Sequence, residues 1–255
     1  PPRSTLFPYT TLFRSAVAYE NALLDDTRAL QGIRCSDDDL SLLYTGGTTG
    51  KPKGVMWPHK DLFFGSLGGG GFYAPADGPV KTPEELADRI RKAHPMRFMP
   101  VAPLMHGAAH WATMVSLFAG HTVVLNDQHH FNAEHVLDIA ATQKLNGITL
   151  VGDAMALPIL DALKAHPGRW DLSTLFLFGN GGAVMSAHIK EALKPFLPAN
   201  VYFSDGIGSS EGGQLGMGAK PIEGGMIKIA ARPDLKVVVD GKRIAAAGES
   251  GILAR

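Results

Sequence analysis

The sequence predicts an α/β fold: mostly parallel sheet layers flanked by helices, followed by a C-terminal β element. Three observations predict it. Between residues 97 and 203, short apolar runs of strand length alternate with amphipathic helical segments, the pattern of βαβ units. A glycine-rich stretch at 46–54 directly follows an apolar run, where loops at strand ends are expected in an open sheet. Beyond Glu211 the texture changes, and two short apolar runs flank Asp240-Gly241, a hairpin signal.

Taken in order, 40–45 reads as a short buried strand, 46–54 as a glycine-rich loop and 55–57 as a second short strand. A helix is expected over 59–67. Four successive glycines at 68–71 are too flexible for regular structure, so 68–81 is expected to be a surface loop or lid. Thr82-Pro83-Glu84-Glu85 supplies an N-cap, a proline at the first helical position and a capping glutamate, starting a helix that runs to about residue 94. Strands are then expected at 97–101, 121–125, 148–151, 175–178 and 201–203. Helices are expected between them at 107–118, 133–144, 154–165 and 186–196. The hairpin covers 234–239 and 243–245.

Composition narrows the function classes. The 255 residues are 45% hydrophobic, enough for a substantial core. Lys and Arg (24) balance Asp and Glu (24), so no basic field is present to hold nucleic acid or anionic lipid. One cysteine, Cys35, makes no internal disulfide, and no apolar run has the length of a membrane span. These features point to a cytoplasmic protein. Residues 1–15 repeat Thr-Leu-Phe, carry no acidic residue and are similar to translated adapter sequence, so they are set aside as a non-native leader.

The richest stretch is YTGGTTGKPKG at 44–54. Gly46, Gly47 and Gly50 let backbone N–H groups approach an anion closely, Thr45, Thr48 and Thr49 add hydroxyl donors, and Lys51 and Lys53 add positive charge. The chemistry fits a polyphosphate. A Walker-type loop would need glycine where Thr45 stands and Ser or Thr where Pro52 stands, so that pattern fails. A flexible glycine-threonine turn with solvated lysines is the plainer alternative.

With two later segments, this stretch resembles the adenylate-forming superfamily of acyl-CoA synthetases, luciferases and peptide-synthetase adenylation domains. Gly181-Gly182-Ala183 is similar to that family's adenine and α-phosphate loop. Asp205-Gly206-Ile207-Gly208-Ser209-Ser210-Glu211 resembles the segment holding the adenine face, α-phosphate and magnesium. The resemblance implies ATP, Mg²⁺ and CoA as cofactors and co-substrates. It assigns Glu211 to Mg²⁺ and Ser210 to the α-phosphate. At 207 the family pattern leads to an aromatic residue stacked on adenine; the chain has Ile207, which offers packing without stacking.

Val101 to Gly107 (VAPLMHG) resembles the family's acyl-pocket motif, which makes His106 a candidate gate beside the reacting carboxylate; a histidine at a helix start is the alternative. His106 and His110 stand i, i+4, yet Gly, Ala and Ala lie between them, so the Glu of a zinc-protease motif is missing and His110 is read as a pocket residue. His129, His130 and His135 show no ligand spacing. Asp153, at a strand end in VGDAM, is open between a substrate contact and a helix N-cap.

The combination is closest to actinobacterial ligases that activate steroid side-chain and other bulky acids. Gly107, Ala108 and Ala109 would leave room for a wide carboxylic acid substrate. The resemblance further implies that 16–255 is an incomplete N-terminal domain. A ribose-binding aspartate, a hinge and a small C-terminal domain with a catalytic lysine would lie elsewhere, leaving little turnover in this chain alone. Other adenylating enzymes, or a non-catalytic nucleotide-binding protein, stand as alternatives.

Overall fold

The computed structural model describes residues 34–46, 53–72, 77–128, 130–221, 227–231 and 235–254. The leader expected at 1–15 lies outside them. The chain divides into two units, Pro1–Ser36 and Asp37–Arg255, and the fold below is that of the second.

Strands β1 (Leu40–Thr45) and β2 (Lys53–Pro58) form an antiparallel ribbon in which Thr45 faces Lys53 and Leu40 faces Pro58. The expectation of a buried first strand is corrected. Leu40, Leu42 and Tyr44 are 54–66% exposed, while Ser41, Leu43 and Thr45 turn partly inward. An uncharged apolar run leaves a one-sided ribbon and a buried strand indistinguishable by composition. The helix expected over 59–67 is a helical turn, His59–Asp61, that widens into a π-helical turn, Leu62–Ser66.

The surface loop expected at 68–81 is corrected over its described residues, 73–76 lying outside them. Gly68–Gly70 form a 3₁₀ turn, Leu67 and Val80 are 2% and 4% exposed, and Val80 N–H donates to the Gly69 carbonyl at 2.8 Å. Glycine is required here for close approach: a Cβ on Gly71 would sit 2.4 Å from the Gly78 carbonyl oxygen. These glycines are closely packed.

Helix α1 (Pro83–Lys92) starts as its sequence demands. Thr82 Oγ1 accepts from Glu85 N–H at 3.2 Å, and the Glu85 carboxylate accepts from Lys81 N–H at 2.8 Å, one residue before the usual partner of a capping box. The alternating region then builds β3 (Arg97–Pro100), α2 (Gly107–Phe118), β4 (Thr122–Val123), α3 (Ala133–Thr142), β5 (Gly147–Leu150), α4 (Gly152–Ala165), β6 (Leu177–Asn180), α5 (Ala187–Leu193) and β7 (Tyr202–Ser209).

These strands lie in a seven-stranded sheet of order β4-β3-β5-β6-β7-β8-β9, parallel through β7. The α/β expectation holds, and the sheet is larger than expected. Strands β8 (Gly213–Pro221) and β9 (Ile227–Ala231) extend it antiparallel from β7. The expected hairpin is β10 (Lys236–Val239) with β11 (Arg243–Ile244), its turn held by positive φ at Asp240 and Gly241; β12 (Ile252–Ala254) pairs on the other side of β10.

The period-2 alternation of β5 and β6 sorts side chains to two faces. Ile148, Leu150 and Phe178, each 1% exposed, join Met99 in a core with α3, α4 and α5, including Val136, Ile159 and Leu193. Gly147, Thr149, Leu177 and Gly179 take the opposite positions along these strands.

Candidate functional site

That opposite face bounds a cavity of about 660 Å³. The sheet supplies Thr149, Leu177, Gly179 and Ser204 to its lining, and α2 supplies Gly107, Ala108, Trp111, Ala112 and Val115. Their spacing at i, i+1, i+4, i+5 and i+8 is one face of a helix. Two alanines on that face widen the space. Gly107 has its own reason for lacking a side chain: a Cβ there would lie 3.0 Å from Leu43 of β1.

Several residues singled out in the sequence meet in this cavity. His106, the extended N-cap of α2, lines it together with Gly181 and Gly182 beyond β6 and with Gly206, Ile207, Gly208, Ser209 and Ser210 at the end of β7. His106 makes no side-chain capping bond. Ile207 lines the cavity and is 36% exposed. Ser209 Oγ accepts from Gly212 N–H at 2.9 Å, folding the turn into β8. The Ser210 carbonyl accepts from Trp57 Nε1 at 2.8 Å, and Trp57 meets Trp111 edge-to-face at 6.3 Å. The ribbon that carries the glycine-rich loop is thereby tied to the turn carrying Glu211.

Other sequence candidates lie elsewhere. Thr45 and Lys53 are the roots of the glycine-rich loop, with Thr45 Oγ1 donating to the Lys53 carbonyl at 3.5 Å; Gly46 is exposed. Gly47, Thr48, Thr49, Gly50 and Lys51 fall outside the described residues. His110 is exposed and, like Ala183, is absent from the cavity lining. Asp153 also lies off the lining. Its carboxylate accepts from Ser186 N–H at 2.7 Å and from the Ser186 hydroxyl, fastening the start of α5.

Glu211 is exposed, beside the cavity rim at Ser210. Among the described residues its carboxylate has no hydrogen-bonding or ionic partner, and no group of three His, Cys, Asp or Glu assembles a metal cage. A single unpaired carboxylate fits a cation such as Mg²⁺, which ordinarily keeps waters and takes remaining ligands from substrate phosphates.

The sequence reading missed a clamp under the loops. Asn180, 7% exposed at the end of β6, accepts from Gly152 N–H at 2.7 Å and donates to the Ala183 carbonyl at 2.9 Å and to Asp205 Oδ1 at 3.0 Å. Lys190 of α5 pairs with the other Asp205 oxygen. Asp205, a candidate nucleotide residue, is therefore a buried member of a polar network and does not line the cavity. Gly152 has φ +57°, and a Cβ there would lie 2.7 Å from both Ala183 Cβ and the Val184 carbonyl. Only glycine lets the two loops touch. An asparagine before paired glycines was the available signal.

Comparisons with known proteins relate the sequence and the fold to a family. A medium/long-chain-fatty-acid and 3-oxocholest-4-en-26-oate CoA ligase of Mycobacterium marinum is 43% identical over 202 residues, covering 79% of this chain and 35% of that protein. The medium-chain acyl-CoA ligase Mig of Mycobacterium avium is 39% identical over 203 residues, covering 79% of this chain and 36% of the relative. The chain thus spans little more than a third of these relatives' length. Among solved structures, the O-succinylbenzoate coenzyme A synthetase of Bacillus subtilis, in complex with AMP, superposes with a TM-score of 0.61 at 20% identity, covering 86% of this chain and 40% of that one. It shares the fold. The sequence pattern of AMP-binding enzymes matches residues 9–253, nearly the whole chain, and the chain belongs to that family.

Proposed function

We propose that this chain forms the nucleotide and acyl wall of an acyl-CoA ligase. The observation that carries the reading is that one cavity is lined by His106, by the glycines after β6 and by the 206–210 segment, three stretches separated in sequence. In the reaction, a carboxylate oxygen attacks the α-phosphorus of ATP, the bond to pyrophosphate breaks, and acyl adenylate forms. The sulfur of CoA then attacks the acyl carbon, and AMP leaves.

The chain's own residues contribute binding and orientation. Gly181 and Gly182 admit the nucleotide close to the backbone, and Ile207 packs against its base. Ser210 donates its hydroxyl to the α-phosphate, and the loop rooted at Thr45 and Lys53 grips the outer phosphates. Glu211 would hold Mg²⁺, which when bound offsets charge on the departing pyrophosphate. His106 stands where the carboxylate would enter. Asp153 acts through Ser186 and α5 rather than on substrate.

The apolar lining from Phe72, Trp111, Val115, Met155 and Met217 suits a fatty or steroid-type acid. Relatives named for such acids support that class. A cytoplasmic place fits an enzyme using ATP and CoA and a chain with one cysteine. The adenylation lysine and the ribose ligand are expected in the remainder of a protein of the relatives' length. Carboxylate-dependent ATP–pyrophosphate exchange by that longer protein tests the reading. A panel of acids from acetate to sterol side-chain acids that supports no exchange would refute it. Glu211→Gln should cut exchange at least a hundredfold; an unchanged rate would remove Glu211 from the site.

A further inference from the structure

The cavity wall contains polar groups that the reaction above leaves unused. Thr149 on β5, Gly179 on β6 and Ser204 on β7 are register partners, so they form one row across three adjacent parallel strands. All three line the cavity. The row lies two residues in from Gly181 and Gly206, roughly 7 Å deeper than the proposed nucleotide loops at the strand rise. Gly179 leaves a gap in the middle of the row. Thr149 Oγ1 overhangs it, 3.0 Å from where a Cβ on Gly179 would stand.

Among the described residues, nothing hydrogen-bonds to the hydroxyl of Thr149 or of Ser204, although Ser204 is only 6% exposed. Ser66, on the π-helical turn, also lines the cavity, with its hydroxyl oxygen turned away from solvent. It is 3% exposed, and its Oγ has no hydrogen-bond partner among the described residues. Buried hydroxyls without a partner among the described residues are costly unless a ligand or water satisfies them. A plain alkyl chain laid across the row would displace water and satisfy none of them.

We propose that the row Thr149–Gly179–Ser204 is a hydrogen-bonding band in the acyl part of the cavity, and that the acid taken there carries an oxygen substituent, a hydroxyl or ketone, where its body crosses β6. This rests on the acyl-adenylate reading. The gap above Gly179 admits the substituent, and the flanking hydroxyls donate to it or accept from it. Each hydrogen bond gained is worth roughly two- to tenfold in affinity. Sites built around such groups reject analogues that lack the partner more strongly than apolar pockets reject an added methylene.

The test measures dissociation constants of the 255-residue chain, saturated with AMP, for dodecanoate and for the series of hydroxydodecanoates with the hydroxyl at successive carbons, by calorimetry. At least one internal isomer should bind about tenfold more tightly than dodecanoate. In T149V/S204A the preferred isomer and dodecanoate should converge within about twofold, while T149S, which keeps the hydroxyl, should retain the preference. Dodecanoate binding as tightly as every isomer, or a preference that survives T149V/S204A, overturns the band. AMP binding without binding of any acid overturns the acyl-site reading and the band with it, an outcome distinct from equal affinities.

Discussion

Replacing Asn180 with alanine removes three hydrogen bonds from one buried side chain: Gly152 N–H to Oδ1 at 2.7 Å, and Nδ2 to the Ala183 carbonyl and to Asp205 Oδ1 at 2.9 and 3.0 Å. At about 1 kcal/mol net for each bond, with about 1–3 kcal/mol more for the Gly152 N–H left buried without an acceptor, the loss totals roughly 4–6 kcal/mol. Partial relaxation brings the expected destabilisation to about 3–5 kcal/mol. That is a large share of the roughly 5–15 kcal/mol typical of a folded domain. Urea unfolding followed by tryptophan fluorescence reads it as a shift in midpoint at constant slope. Asn132→Ala is the reference. It removes a single exposed cap bond, from His135 N–H at 3.1 Å, and should cost only about 1 kcal/mol. The clamp is refuted if Asn180→Ala costs no more than Asn132→Ala. If Asn180 also positions the loops at Gly181 and Gly206, Asn180→Asp should weaken AMP binding near neutral pH, where its carboxylate would face that of Asp205, and binding should recover as the solution is acidified.

Two further outcomes follow from buried polar groups. His121 is 9% exposed and packs against Phe98 with the two rings tilted by 45°, and burial holds its imidazole below the ordinary histidine range. The unfolded chain therefore takes up the proton first, so His121 makes stability fall as pH drops below about 6.5 toward its lowered folded value. His121→Gln should flatten the pH dependence of the thermal midpoint between pH 7.5 and 5, and an unchanged slope would contradict this assignment. Ser66→Ala removes a buried hydroxyl that has no hydrogen-bond partner among the described residues. It should leave stability unchanged or raise it by up to about 2 kcal/mol, and a loss above 1 kcal/mol in the same unfolding assay would show that Oγ is bonded after all.

The elements legible in the sequence are those fixed by local chemistry. Helix α2 begins at Gly107 and ends at Phe118, where apolar spacing and flanking glycines put it, and α1 begins at the Thr82 cap. Strands β8 and β9 were not legible. Gly213, Gly216, Gly218 and Pro221 interrupt any apolar period, and the strands exist because β7 offers a pairing edge, a cause outside their own sequence. The same limit applies to the clamp. Asn180 reaches Gly152 across 28 residues and Asp205 across 25, and nothing near Asp205 in the chain marks Lys190 as its partner.

The site divides along the same line. Its rim was legible because glycine-rich turns after strands must lie at the C-terminal edge of a parallel sheet, whichever strands turn out to be neighbours. Its floor was not, because which side chains share a row depends on register between strands that are distant in sequence. Ile148 and Leu150 announce a buried strand, while Thr149 between them reads as an ordinary β-branched filler. Pairing β5 with β6 and β7 changes its meaning. Opposite Phe178 and Leu150 in the core, the alternate positions face a cavity, and there a threonine, a glycine and a serine become one surface with a gap at its centre. The apolar alternation that builds the core thus also selects which residues face the cavity. Specificity in this sheet is accordingly to be sought at the polar and missing side chains interleaved with its most hydrophobic strands.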